Sequence, residues 1–167
     1  MAGKNIKLSE RLMTIAGFIE KGAKVADIGT GDGHLPVYLM QNGLASHAIA
    51  SDKSAASIDT VLRTANKYGV ADKIVFTASP GLSGIDEEAV DTIVIAGMGG
   101  ETISKILDDA PWTKRRGIKL ILQPQTKTEK LCSWLRENGY SIPETAQAQD
   151  KGRAYTVISA EGAVGAS

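Results

Sequence analysis

Cysteine, histidine and long apolar runs are scarce in this sequence, and each shortage excludes a class of protein. Of the 167 residues, one is Cys and two are His. The lone Cys132 excludes a disulfide within the chain and fits a cytoplasmic protein that keeps its thiol reduced. One Cys with His34 and His47 cannot form an ordinary zinc site, so we expect no metal centre. No apolar run approaches the roughly 20 residues of a membrane-spanning helix, and the N-terminus lacks the apolar core of a signal peptide, so we expect no membrane association.

The chain also lacks a surplus of charge of either sign. Lys and Arg together number 19, as do Asp and Glu, so the formal net charge is zero. Proteins that bind nucleic acid usually carry a basic surplus, because phosphate contacts supply most of their non-specific affinity. Binding of nucleic acid would therefore need a local patch, and a solvated surface is the alternative interpretation of the same residues. The candidates are the basic residues of segment 114–119 together with Lys127, Lys130, Lys4, Lys7 and Arg11.

Apolar segments and helical periodicities alternate along the chain, which is typical of an α/β protein. A chain of this length predicts one domain, which we place at residues 1–161, with a flexible tail at 162–167. Five strand–helix alternations predict a parallel sheet covered on both faces. The last two strands have no helix between them and predict an antiparallel hairpin, with Gly152 available for a positive φ in its turn. The predicted strands cover 24–29, 48–52, 73–77, 91–96, 120–123, 140–147 and 153–160, and the predicted helices cover 8–19, 35–41, 54–68, 101–109 and 126–138.

A glycine-rich turn follows the first predicted strand, where an open α/β sheet places its ligand crevice. The segment reads Asp27-Ile-Gly-Thr-Gly-Asp-Gly33. Glycine allows a positive φ and close approach of the main chain to a ligand. Asp52 ends the second strand at a spacing that suits a carboxylate bound to both hydroxyls of a ribose. Together these features predict a site for a nucleoside-containing cofactor.

Two cofactors compete for such a turn. The dinucleotide fingerprint G-x-G-x-x-G fails, because its third glycine position holds His34. The spacing is instead similar to the Asp-x-Gly-x-Gly-x-Gly turn of S-adenosylmethionine-dependent methyltransferases, which favours that cofactor over NAD. A glycine turn that binds nothing remains a third interpretation. The chain contains no P-loop and no G-x-S-x-G nucleophile elbow.

Two more segments end neighbouring strands at the same predicted edge. Three glycines within residues 97–100 indicate close approach by a ligand, although strand-to-helix geometry alone is the alternative. This segment lacks the Asn/Asp-Pro-Pro-aromatic run of amino-directed adenine methylases, so methylation of an exocyclic amine is disfavoured. Gln123 and Gln125 flank Pro124, which stiffens the end of the fifth strand. A polar surface turn is the alternative interpretation there.

These three segments, in this order, resemble the TrmK family of bacterial tRNA (adenine(22)-N(1))-methyltransferases. The resemblance covers about residues 7 to 161 and includes Lys7-Leu-Ser-Glu-Arg-Leu12, Trp134-Leu-Arg-Glu-Asn-Gly-Tyr140 and the final hairpin. It implies a Rossmann-like class I methyltransferase fold with seven strands, S-adenosylmethionine as cofactor, tRNA as partner and a cytoplasmic location. The resemblance implies substrate-binding roles for His34, Gln123 and Gln125. It implies cofactor-binding roles for Arg11, Asp27, Gly29, Gly31, Asp52, Lys53, Gly81, Ala96, Gly97, Met98 and Gly99.

The departures from the family pattern concern the catalytic residue. Gly31 stands where the family carries its proposed catalytic aspartate, so we assign the catalytic role to the next residue, Asp32. Pro80 replaces the aspartate of an Asp-Gly pair, and Gln125 replaces an asparagine. The family continues into a helical domain implicated in holding tRNA, so we expect this chain alone to bind tRNA weakly and in a salt-sensitive manner. Two alternatives remain, a cofactor-binding protein without methyl transfer and a methyltransferase with another substrate.

Overall fold

A computed structural model describes residues 4–163, which form a seven-stranded sheet with helices on both faces. The strand order is β3-β2-β1-β4-β5-β7-β6. The strands are β1 (Ala23–Ile28), β2 (Ala45–Asp52), β3 (Ile74–Ala78), β4 (Thr92–Met98), β5 (Lys119–Pro124), β6 (Tyr140–Asp150) and β7 (Arg153–Gly162). The helices are α1 (Glu10–Gly17), α2 (His34–Gln41), α3 (Ala55–Lys67), α4 (Gly100–Asp108) and α5 (Thr128–Glu137).

The strand directions confirm the predicted parallel sheet with a C-terminal antiparallel hairpin. Strands β1 to β5 pair in parallel, and β7 pairs antiparallel with both β5 and β6. The turn of the hairpin contains only Lys151 and Gly152, at φ 51° and 77°, because Asp150 already pairs with Arg153. Two consecutive positive φ values are typical of a type I′ turn, whose twist matches that of the flanking strands.

The start of helix α1 and three short helices are among the differences from the sequence-based expectations. Helix α1 begins after Ser9, whose hydroxyl oxygen accepts a hydrogen bond from the Leu12 amide at 3.2 Å, so the predicted extension back to residue 8 is wrong. Short 3₁₀ helices at Ala71–Lys73, Glu87–Ala89 and Pro111–Lys114 were not predicted, and the first of them takes Lys73 from the predicted strand 73–77.

Both faces of the sheet are buried, which is why the strands read as nearly continuous apolar runs. Successive residues of β4 point to opposite faces. Ile93 and Ile95 pack with residues of α4 and α5, and Val94 packs on the other face with residues of α1 and α2. Val61 of α3 belongs to a third buried cluster on the β2–β3 side. This packing fixes the sheet edge at which the strand-end turns meet.

The ends of the chain bear on the predicted domain limits. Strand β7 includes Gly162, the first residue of the expected tail, and residues 164–167 lie outside the described part of the chain. Within residues 4–163, no helix has the length and apolarity needed to cross a membrane.

A pair of alanine substitutions in the glycine turn tests how the turn is packed against α3. A Cβ at Gly33 would clash with Val61 Cγ1 and lie 3.2 Å from Val61 Cβ, whereas a Cβ at Gly31 would meet nothing within 4 Å. Both positions have positive φ. We expect Gly33→Ala to lower the free energy of unfolding by about 3 kcal/mol, and the matched control Gly31→Ala by about 1 kcal/mol, measured by urea denaturation. Equal losses would contradict this packing.

Candidate active site

Strands β1, β2 and β4 end at one edge of the sheet and open onto a cavity of about 1100 Å³. The strand order reverses between β1 and β4, and open α/β sheets bind ligands at such a point. The cavity brings together residues from four separate chain segments. Eight residues expected to hold cofactor line it, namely Gly29, Asp52, Lys53, Gly81, Ala96, Gly97, Met98 and Gly99.

The glycine turn after β1 is built for close approach of the main chain. Gly29, Gly31 and Gly33 all have positive φ, at 69°, 61° and 78°. The amides of Gly29 and Thr30 donate to the Ser51 carbonyl at 2.8 and 3.0 Å, which ties the turn to the end of β2. A Cβ at Gly29 would meet only Met98 Cε, the far end of a flexible side chain, so the positive φ and not packing is the reason for glycine there.

Asp27 is a buried carboxyl beneath this turn. Its Oδ2 accepts a hydrogen bond from Thr30 Oγ1 at 2.8 Å. Burial raises the pKa of Asp27 from 3.8 to about 7, with the Thr30 hydrogen bond and the Arg11 charge opposing the rise and the Asp52 charge adding to it. Thr30 and Arg11 therefore offset only part of the cost of burying the ionised Asp27 carboxylate. A cationic group of a ligand placed here would stabilise it.

Asp52 and the loop after β3 form the other side of the cavity. Asp52 ends β2, and its Oδ1 accepts a hydrogen bond from the Ser54 amide at 3.1 Å. Pro80, Leu82 and Ile106 supply an apolar wall. A carboxylate beside an apolar slot suits a sugar with a planar base attached to it.

Arg11 and Gln123 lie outside the cavity lining and bond to each other. Arg11 Nη1 donates to Gln123 Oε1 at 2.9 Å, and the Gly97 amide donates to the same oxygen at 3.1 Å. Gln123 Nε2 donates to the Pro124 carbonyl at 3.0 Å and to Gln125 Oε1 at 3.1 Å. Gln123 is 0% exposed, so it presents no atom to a substrate in this structure, and Gln125 is the exposed member of the pair.

Asp32 and His34 stand on the solvent side of the glycine turn. Their side chains are 71% and 44% exposed, and His34 Nε2 lies 3.9 Å from Asp32 Oδ2. Neither residue lines the cavity, and Gly31 is likewise exposed outside it. Both side chains are therefore accessible to a large substrate that approaches the turn from solvent.

The basic residues of segment 114–119 lie at the opposite edge of the sheet. Lys119 begins β5, whose other end carries Gln123, and it lines a second cavity together with Arg116. Arg115 Nη1 contacts Glu87 Oε1 at 2.8 Å. The expected phosphate contacts of this segment therefore cannot lie beside the glycine turn.

Several residues of the site were missed from the sequence. Thr30 holds the Asp27 carboxylate, and its position between two glycines of the turn is the signal that could have identified it. Leu82, Ile85 and Ile106 belong to the apolar wall of the cavity, and only their hydrophobicity could have indicated this position in the sequence. In the described part of the chain, no three His, Cys, Asp or Glu side chains are grouped as metal ligands.

Comparison with known proteins identifies the family. Residues 8–158 match the methyltransferase domain family. The tRNA (adenine(22)-N(1))-methyltransferase of Bacillus subtilis (strain 168) is 35% identical over 156 residues, which are 93% of this chain and 66% of that protein. The chain thus spans slightly less than two thirds of that relative.

Two solved structures agree with this match. The crystal structure of the B. subtilis m1A22 tRNA methyltransferase TrmK superposes with a TM-score of 0.87 at 34% identity, over 94% of this chain and 67% of that one. M. capricolum TrmK in complex with S-adenosyl-homocysteine gives a TM-score of 0.82 at 28% identity, over 93% of this chain and 69% of that one. With the domain match, the sheet order and the glycine turn in agreement, this chain belongs to the TrmK family of methyltransferases.

Proposed function

We propose that this protein is an S-adenosylmethionine-dependent methyltransferase that acts on N1 of an adenine in tRNA. The observation that carries the proposal is the meeting of Gly29 of the glycine turn, Asp52 and the glycine segment 97–99 at one cavity of about 1100 Å³. Asp27 lies outside the cavity lining, buried under the turn through its hydrogen bond with Thr30. The names of its relatives, which include the B. subtilis tRNA (adenine(22)-N(1))-methyltransferase, support the reaction and the substrate. Because tRNA is the substrate, we place the protein in the cytoplasm.

The residues of the cavity fit the parts of this cofactor. Asp52 would accept hydrogen bonds from the ribose hydroxyls, and the apolar wall of Pro80, Leu82 and Ile106 would hold the adenine. Asp27, together with the exposed main chain of the glycine turn, would hold the cationic amino acid end. The open space at Gly97, where a Cβ would meet nothing within 4 Å, leaves room beside the reacting group.

The chain's part in the reaction is to position the base and stabilise developing charge. When bound, the cofactor supplies a methyl group on a sulfonium, which is electrophilic. The lone pair of adenine N1 lies in the base plane, so in-line alignment with that methyl supplies much of the acceleration. As N1 becomes methylated, positive charge spreads to the exocyclic amine. The Asp32 carboxylate would accept a hydrogen bond from that amine and so favour the transition state over the ground state.

The tRNA partner sets two requirements on the site. A paired or stacked base must leave its helix before N1 can reach the methyl group, so we propose flipping or local opening of the target nucleotide. The mouth of the site must accept this base from solvent, and we propose that the solvent-accessible side chains of Asp32, His34 and Gln125 line its path. His34 would stack on or bond to the base.

Transfer of a labelled methyl group to tRNA tests the function. Purified protein with labelled S-adenosylmethionine should methylate an unmodified tRNA transcript, and a transcript with 1-deazaadenosine at the target should accept nothing. We expect Asp52→Ala to reduce kcat/KM for S-adenosylmethionine at least 10-fold, because the contacts with the ribose of the cofactor are lost. Cofactor binding without any tRNA product would favour the alternative, a protein of this fold that binds the cofactor without transferring methyl.

A further inference from the structure

A directional series of hydrogen bonds runs from helix α1 to Gln125, which follows β5 and contacts the main chain of the cavity residue Met98. Arg11 donates to Gln123 Oε1, and Gln123 Nε2 donates in turn to Gln125 Oε1, at 2.9 and 3.1 Å. The chain crosses a fully buried residue, since Gln123 is 0% exposed. It ends at the exposed residue Gln125. The main-chain amide of Gln125 donates to the Met98 carbonyl at 2.7 Å, beside the glycine segment at the end of β4.

The direction of this chain follows from chemistry alone. A guanidinium and a main-chain amide can only donate, so the two contacts from Arg11 and Gly97 require the Gln123 oxygen on their side. The Pro124 carbonyl can only accept, so it requires the Gln123 nitrogen on the other side. A flipped Gln123 would place donor against donor and acceptor against acceptor at a buried site, which costs free energy at every contact.

The same logic fixes Gln125. Its Oε1 is held by the Gln123 NH₂ group, which leaves the two N–H donors of Gln125, for which residues 4–163 supply no acceptor. Helix α1 is itself anchored to the end of β6, because the main-chain amide of Gln149 donates to Glu10 Oε2 at 3.1 Å and Arg11 Nε lies 3.9 Å from Asp150 Oδ2. Arg11, where the series of hydrogen bonds begins, is therefore held in place by β6 as well.

We propose that Arg11 and Gln123 are positioning residues that keep Gln125 as a hydrogen-bond donor towards the target base. The inference rests on the proposed function and names its substrate contact. The acceptor would be ring nitrogen N7 or N3 of the adenine, since the lone pair of N1 must stay free for the methyl group. Gln125 would then determine which base is held and in what orientation, and its loss would appear mainly in KM.

Side-chain amide spectroscopy tests the positioning chain without any tRNA. In ¹⁵N-labelled protein, we expect the Gln123 NH₂ signals to be protected from solvent exchange and the Gln125 NH₂ signals to exchange fast. Arg11→Met should remove the protection, whereas Arg11→Lys, which keeps a donor, should retain part of it. Fast exchange of Gln123 in the unsubstituted protein would overturn the chain.

Deaza-substituted tRNA tests the substrate contact. Gln125→Glu removes the donor at nearly constant shape, and we expect it to raise KM about 10-fold with little change in kcat. With the unsubstituted protein, either 7-deazaadenosine or 3-deazaadenosine at the target should raise KM by a similar factor. With Gln125→Glu, the same substrate should raise KM no further. Gln147→Glu, on the exposed face of β6, is the matched amide-to-carboxyl control and should change neither constant.

The outcomes separate this inference from the function on which it rests. The Gln125 contact would be overturned if the KM of Gln125→Glu were unchanged. It would also be overturned if a deaza substrate raised the KM of Gln125→Glu as much as it raises that of the unsubstituted protein. Neither result would affect the methylation by the unsubstituted protein. Absence of methylation by the unsubstituted protein would instead overturn the proposed function, and the base contact with it.

Discussion

Asp32→Asn is expected to lower kcat for tRNA methylation about 100-fold, with KM for the cofactor unchanged. The substitution keeps the size of the side chain but removes the negative charge that would stabilise the methylated base. Because the Asp32 side chain is 71% exposed and lies outside the cavity lining, we expect no loss of stability or cofactor affinity. Single-turnover kinetics with excess enzyme would measure the effect on the chemical step directly.

Gly31→Asp in the Asp32→Asn background should recover part of that rate. A side chain at residue 31 meets no atom within 4 Å of its Cβ, and aspartate is among the residues that best tolerate the φ of 61° found there. The carboxylate would then stand one residue earlier, where the family pattern carries it. Asp72→Asn, on the exposed 3₁₀ helix before β3, is the matched control and should leave the rate unchanged. Full activity of Asp32→Asn would contradict the catalytic assignment.

Asp27→Asn is expected to stabilise the ligand-free protein at alkaline pH. The Asp27 pKa is about 7 in the folded state and near 3.8 when unfolded, so the unfolded chain releases its proton first as pH rises. The free energy of unfolding therefore falls progressively between about pH 4 and pH 7, and above that range it carries the full penalty of burying ionised Asp27. At about 1.4 kcal/mol per pKa unit, the cost is at most about 4 kcal/mol.

Urea denaturation of both proteins at pH 5 and pH 8 measures this difference. The gain in free energy of unfolding from Asp27→Asn should be larger at pH 8 than at pH 5, because only the ionised carboxylate carries the burial cost. The same variant should bind S-adenosylhomocysteine more weakly, since it cannot offer a charge to the cationic amino group. A gain that did not change with pH would show that Asp27 is not the buried group responsible.

The fold could be predicted because its signals are local. Apolar runs marked all seven strands to within three residues at each end, and the glycines at 29, 31 and 33 marked the turn whose φ values are all positive. The hairpin turn was also marked by Gly152. These features depend on neighbours in the sequence, so periodicity and composition reach them.

The side-chain partners could not be predicted, because they depend on which elements the fold brings together. Arg11 was expected at the cofactor but reaches Gln123, which is 112 residues away in the sequence. Gln123 was expected at the substrate but is fully buried by its neighbours in the sheet. The basic segment 114–119 precedes β5 and so falls at the far edge of the sheet. In each case the sequence identified a polar residue, but the direction of its side chain or strand could not be derived from spacing.

Isothermal titration calorimetry with S-adenosylhomocysteine tests most directly whether the glycine turn and Asp52 form a cofactor site. Binding with one site per chain, a raised melting temperature and at least a 10-fold loss of affinity in Asp52→Ala are the expected results. Asp72→Asn should bind as the unsubstituted protein does. No heat and no change in melting temperature at saturating ligand would contradict the site, and with it the methyltransferase function.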